Sequence, residues 1–226
     1  MLYYDPTFLL LIPAMILAVY AQYKVSSTYA KYSKVPSSSG LTGQAAGRKL
    51  LNNAGLTNIP VTETAGNLTD NYDPRDKTLH LSQAVYGSNS VAAIGVAAHE
   101  VGHAIQDSKG YFPLKLRTNI VPMANLGTTL AFPLFLIGLF AGMPALMDLG
   151  IIAFSIAVVF TVITLPVEFN ASNQAIKILG SGGYLTGEEL SQAKQVLNAA
   201  ALTYVAATAM AVLNLIRLLA LRNSRD

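Results

Sequence analysis

The sequence predicts a mainly α, multi-pass membrane protein in which about four transmembrane helices carry a small α+β domain. Three observations lead there. Charged residues make up 12% of the 226, about half of the ~25% usual in soluble domains. Hydrophobic residues make up 52%, with a mean hydropathy of +0.43. Four stretches carry no charge at all: residues 6–23, 118–147, 149–167 and 195–216. At the helical rise each is long enough to cross a hydrocarbon core of about 30 Å. The same composition excludes other classes. With Cys at 0 and Trp at 0 the chain is neither a disulfide-stapled module nor a thiolate zinc ribbon, and it is too apolar to be disordered. A net charge of +3, with no basic run interleaved with aromatics, gives no footprint for nucleic acid.

The first element, residues 1–23, is expected to be an uncleaved span. No Lys or Arg precedes its apolar run and no small-x-small cleavage site follows it. Tyr3, Tyr4, Tyr20 and Tyr23 lie at its two ends, where interfacial aromatics belong. The remaining spans are expected at 118–147, 149–167 and 195–221, leaving connections at 24–117, at Asp148 and at 168–194. Ten Lys and Arg fall in the first connection and two in the third, against Arg217, Arg222 and Arg225 on the other side. Twelve against three predicts that both polar connections are cytoplasmic.

Within the long connection, residues 34–40 read as a turn-rich linker. Residues 42–54 read as a helix capped by Thr42 and ended by Gly55. Residues 59–64 and 78–81 read as short strands around a turn at Asn71-Tyr-Asp-Pro74. A helix rich in small residues is expected over about 90–108, stopping near Lys109-Gly110. In the third connection Thr186-Gly-Glu-Glu189 has capping-box spacing and is expected to start a helix that continues into the last span. Gly138 and Gly142 have the small-xxx-small spacing that packs helices within a bundle.

The chemistry lies in His99-Glu-Val-Gly-His103. Histidines four apart stand about one turn from each other on one helix face, a spacing that can grip one tetrahedral zinc. Glu100 is rotated by roughly 100° from His99 about the axis. Its carboxylate flanks the metal, where it can take a proton from the attacking water and pass it to a leaving amine. From the chain's own three His and five Glu, the pattern is expected in about one random shuffle per thousand, so the motif is specific.

A catalytic zinc takes three protein ligands and keeps a position for water, so two histidines do not suffice. Candidates for the third ligand are His80, Asp107, Asp148 and Glu168. The metzincin pattern is excluded, because it needs Gly at 106 and His at 109 and the chain has Gln106 and Lys109. Glu168 leaves the third span on the side of His99, brought back by the hairpin of the two intervening spans. Ser172, one turn further on, is within reach of a ligand from behind.

His99-Glu-Val-Gly-His103 followed, after two hydrophobic spans, by Glu168-Phe-Asn-Ala-Ser172 resembles the bacterial neutral zinc metallopeptidase family of the YugP type over nearly the whole chain. Its wider kin are the membrane gluzincins, whose second motif is Glu-x-x-Ala-Asp; Ser172 stands here in place of that Asp. The resemblance implies a membrane-bound zinc metalloendopeptidase with Zn2+ on His99, His103 and Glu168 and with Glu100 as general base. It implies a zincin-like domain over 24–117, a third-ligand helix and loop over 168–194, and a polypeptide substrate, extended and near the bilayer.

Three further expectations follow. Thr78-Leu-His-Leu-Ser82 would offer a strand edge on which an extended substrate could add. Tyr184 is a candidate phenol donor to the oxyanion. Two other functions compete: a site-2-type intramembrane metalloprotease using Asp148, and a metal-binding membrane protein without hydrolysis. Against the first, Ser88-Asn-Ser90 interrupts the apolar run before His99, and Asp148 belongs on the far side of the membrane.

Overall fold

The computed structural model describes residues 6–224; Tyr3, Tyr4 and Arg225 lie outside them. A 3-10 segment, Pro6–Leu11, leads into α1 (Ile12–Tyr32). Then come α2 (Gly43–Asn53), β1 (Val61–Thr64), β2 (Asn71–Asp73), β3 (Thr78–Ser82), α3 (Gln83–Tyr86) and α4 (Val91–Ser108). Three long helices close the chain: α5 (Phe112–Ala141), α6 (Pro144–Ser181) and α7 (Gly187–Asn223). The protein is thus mainly α, with one small three-stranded sheet among the described residues. Among those residues four helices, Thr7–Tyr32, Phe112–Ala141, Pro144–Ser181 and Gly187–Asn223, are long and apolar enough to cross a membrane.

The sequence sets these elements by local rules. Thr42 caps α2 by accepting from the Ala45 N–H at 3.2 Å, and Ser90 caps α4 by accepting from the Ala93 N–H at 3.2 Å, each satisfying a donor that a helix start would leave bare. Helix α7 starts after Thr186 as expected, but the Thr186 side chain makes no capping bond. Glu189, which a capping box would turn back on the helix, instead accepts from the N–H and hydroxyl of Ser38 at 2.6 and 3.0 Å.

Two segments differ from the sequence reading. Residues 71–73 form strand β2 rather than a turn; the reversal comes after Pro74, with Lys77 in a left-handed conformation (φ 54°) and the Arg75 N–H and guanidinium on Asp73. As a result β3 is not an edge. It lies in the middle of the order β1-β3-β2, parallel to β1 and antiparallel to β2. The second difference is the hairpin between the middle spans, which turns at residues 142–143 and not at Asp148. Gly142 takes a left-handed φ of 65°, which costs a glycine nothing, and Pro144 restarts the helix. Asp148 is therefore inside α6, and it is tolerated there because the Arg222 guanidinium donates to it at 2.8 Å.

Two cores result. One joins α2, α3, β3 and α4 to the ends of α6 and α7 that leave the bundle, around Leu51, Leu79, Leu81, Ile94, Leu179 and Leu197. The other holds the long helices together around Phe135, Met147, Phe154 and Leu218. Gly138 serves this second packing: a Cβ there would stand 2.6 Å from the Met147 backbone nitrogen.

Candidate metal centre

Helix α4 carries His99, Glu100 and His103, and its small residues let it sink between neighbours. Ala92, Ala93, Ala97, Ala98 and Ala104 are all fully buried. The closest approach is at Gly102, inside the motif, where any Cβ would lie 2.6 Å from the Ala171 carbonyl oxygen of α6. Only glycine lets the two backbones meet so closely, and that contact sets α6, with Glu168 and Ser172, against the histidines.

At this junction the Glu168 Oε2 atom stands 3.3 Å from His99 Nε2 and 3.6 Å from His103 Nε2. One ligand atom from each of the three residues falls within a 4.8 Å cluster, and the two imidazoles meet edge to face at 87°. The hydrogen bonds behind these atoms fix what they offer. Gln106 donates through Nε2 to the Val167 carbonyl at 2.8 Å and to Asn170 Oδ1 at 2.9 Å. Its Oε1 is thereby left for His103 Nδ1 at 3.0 Å, so that nitrogen carries the proton and Nε2 presents a lone pair. His99 Nδ1 is engaged by the Ser172 hydroxyl at 3.1 Å. Glu168 Oε1 accepts from Arg117 at 3.1 Å, whereas its buried Oε2 has no hydrogen-bond partner.

An orphaned carboxylate oxygen facing two imidazole nitrogens is costly unless a proton or a metal cation lies between them. The spacing fits the latter. Ligands at about 2.0–2.2 Å from zinc stand about 3.3–3.6 Å apart along the edges of a tetrahedron, which matches the two separations from Glu168 to the histidines. The donor set of two nitrogens and one oxygen is that of a catalytic zinc with an open position. The local field agrees. Burial works against charge on the His103 ring, but the neighbouring carboxylates of Glu168 and Glu100 more than offset it, so its pKa lies above the ordinary value.

Glu100 is buried beside this cluster, and its Oε2 accepts the backbone N–H of Tyr72 at 3.0 Å. Strand β2 thus lies over the motif, secured further by the Tyr72 hydroxyl, which donates to Asp107 at 2.8 Å. Burial first, and then that carboxylate, push the Tyr72 phenol well above its usual pKa, so it stays a donor. A cavity of about 420 Å³ opens here, lined by His99, Glu100, His103, Arg117, Glu168 and Tyr204 among others.

Of the four third-ligand candidates, the structure brings only Glu168 to the histidines. Asp107 faces Tyr72, and Asp148 faces Arg222. His80 sits between Thr62 Oγ1 at 2.9 Å and Asp76 at 3.5 Å, outside the cavity lining. Tyr184 is also elsewhere, accepting from Asn53 at 2.7 Å, so it is no oxyanion donor. Sequence reasoning gave no role to Gln106, Arg117 or Tyr204. Gln106 had a signal in its position three residues after His103, on the same helix face. Arg117 had one as the last charge before a span.

The family model described as "Putative neutral zinc metallopeptidase" matches residues 7–223. "Putative membrane protease YugP" of Bacillus subtilis (strain 168) is 47% identical over 218 residues, covering 96% of this chain and 97% of that protein. No solved structure matches the chain. With the match running from α1 to the end of α7 and the paired motifs meeting at one centre, the chain belongs to this neutral zinc metallopeptidase family.

Proposed function

We propose that the protein is a membrane-bound zinc metalloendopeptidase. His99 Nε2, His103 Nε2 and Glu168 Oε2 hold the metal, and Glu100 is the general base. The observation that carries this reading is the orphaned Oε2 of Glu168 aimed at two imidazole Nε2 atoms. Zinc, when bound, supplies a Lewis acid that makes water nucleophilic at neutral pH and polarises the scissile carbonyl.

The chain's own residues do the rest. The Tyr72 N–H holds one oxygen of Glu100, orienting the carboxylate to take a proton from the attacking water and return it to the leaving amine nitrogen. Arg117 and Tyr204 line the same cavity as candidate donors to the developing oxyanion, the place first expected of Tyr184. Arg117 also engages Glu168 Oε1, which favours a single-oxygen contact to the metal and so keeps one position open. The substrate edge is β2 rather than β3, since β2 borders the cavity and β3 is paired on both sides. An extended polypeptide adding to β2 would pass over Glu100. The basic bias of twelve to three favours placing this domain in the cytoplasm.

Glu100→Gln keeps size and hydrogen bonding but cannot accept the proton. Hydrolysis of an unfolded polypeptide by the detergent-solubilised protein should fall by about 10²–10⁴-fold, while zinc stays near one per chain. Activity within a few-fold of the parent would reassign the base.

A further inference from the structure

Two cavities open on the centre, and their walls differ. The one described above continues past Asp73, Arg75, Arg117 and Thr118. The second, of about 320 Å³, runs between α1 and α7. Asp70, His99, Glu100, Glu168 and Tyr204 line both. Beyond those shared residues the second cavity is walled by groups such as Gln22, Val25, Tyr29, Val196, Ala200 and Leu68, with no Asp, Glu, Lys or Arg among them.

Its position along the helices is equally specific. On α1 it spans the level of Lys24, where the uncharged stretch ends, and on α7 it begins just past Lys194, where the uncharged stretch starts. One turn from Gln22 on α1, outside the cavity lining, Val19 is 71% exposed, an apolar group on a candidate span. Leu68 adds a second sign. It is 53% exposed and lines the cavity with a φ of 56°, a conformation that L-residues adopt rarely and that clusters at functional sites.

We propose that the α1–α7 cavity is the subsite for an apolar side chain next to the scissile bond, presented by a polypeptide whose apolar segment lies in the membrane. This rests on the peptidase reading above. At about 320 Å³ the cavity is near the lower end of the ~300–1,000 Å³ of ligand pockets, room for one or two side chains and not for a folded domain. The charged cavity then takes the chain on the other side of the bond, where it leaves the bilayer. Val25, Val196 and Ala200 set the preference.

The test uses the full chain in vesicles of phosphatidylethanolamine and phosphatidylglycerol. The probe is a single-span polypeptide with photo-leucine at successive positions of its juxtamembrane stalk. Irradiated with the Glu100→Gln protein, the probe should attach to residues 22–29 and 196–204. In parallel, cleavage by the unsubstituted chain is compared for Leu and Asp at the same stalk position, then repeated with Ala200→Phe, which fills the cavity, and Val196→Ala, which enlarges it. A preference for Leu of about ten-fold or more is expected; it should shrink in Ala200→Phe with zinc retained and shift toward Phe in Val196→Ala. Attachment confined to residues 114–122 of α5, or one preference in all three proteins, would overturn the subsite. Equal cleavage of a soluble peptide with the same Leu would overturn the membrane source. If nothing is cleaved while the probe still attaches to 22–29 and 196–204, the peptidase reading fails and the apolar subsite stands.

Discussion

Gln106 supports the proposed metal centre without being one of its candidate ligands. It is 1% exposed and connects three groups: His103, the Val167 carbonyl and Asn170. Replacing it with Leu removes the acceptor that fixes the His103 tautomer and leaves that ring free to turn. Zinc affinity, read by competition with a chelator, should fall by about 10–100-fold, the usual effect of a supporting residue. Gln106→Glu keeps an acceptor for His103 but turns a carboxylate oxygen toward the Val167 carbonyl and Asn170 Oδ1, and should lose affinity as well. Equal affinity in both variants and the parent would mean that packing alone orients the ring. At this scale the sequence made legible the placement of His99, Glu100 and His103 together, which spacing on one helix fixes. Glu168 was legible only through its motif and the parity of spans. Arg117 and Tyr204 come from helices distant in sequence, and their roles exist only once α5 and α7 pack beside α6, which no local pattern encodes.

Helix α4 must approach α6 within a distance that excludes a side chain, and Gly102 is where it does so. Gly102→Ala would place a methyl group 2.6 Å from the Ala171 carbonyl oxygen, so the helices must part and carry His99 and His103 away from Glu168. Overpacking of this kind costs about 1–3 kcal/mol. The thermal midpoint and zinc affinity should therefore drop together; a loss of stability with affinity unchanged would show that the contact holds the fold but not the site. Element types were readable from periodicity and caps, since Thr42 caps α2 where expected and α4 runs over the small-residue stretch. The hairpin turn was misplaced because Asp148 looked like a break in an apolar run, and its pairing with Arg222 on α7 is a tertiary fact. Strand β2 was missed for a related reason. Asn, Asp and Pro favour turns, yet Tyr72 earns its place in the sheet through bonds to Glu100 and Asp107 on another element.

The whole molecule is a bundle of long helices with the α4 domain at one end, and its orientation is open to direct measurement because the natural chain has no cysteine. Single cysteines at Thr57 and Ser181, both exposed, and at Met143 in the turn between α5 and α6 sample the two ends. In intact cells an impermeant thiol reagent should label Met143→Cys and spare Thr57→Cys and Ser181→Cys, as the basic bias requires. Labelling of only one of the latter two would separate Glu168 from the histidines and break the four-span arrangement. Joining residues 99–103 with 168 into one centre is the main consequence of that topology, and zinc stoichiometry tests it most directly. Parent, Glu168→Ala and Asp148→Ala proteins are dialysed against a weak chelator and their metal is counted. A centre made of His99, His103 and Glu168 gives about one zinc per chain in the parent and in Asp148→Ala, and little in Glu168→Ala, which retains only two of the three ligands a catalytic zinc takes. Zinc kept by Glu168→Ala and lost by Asp148→Ala would contradict it.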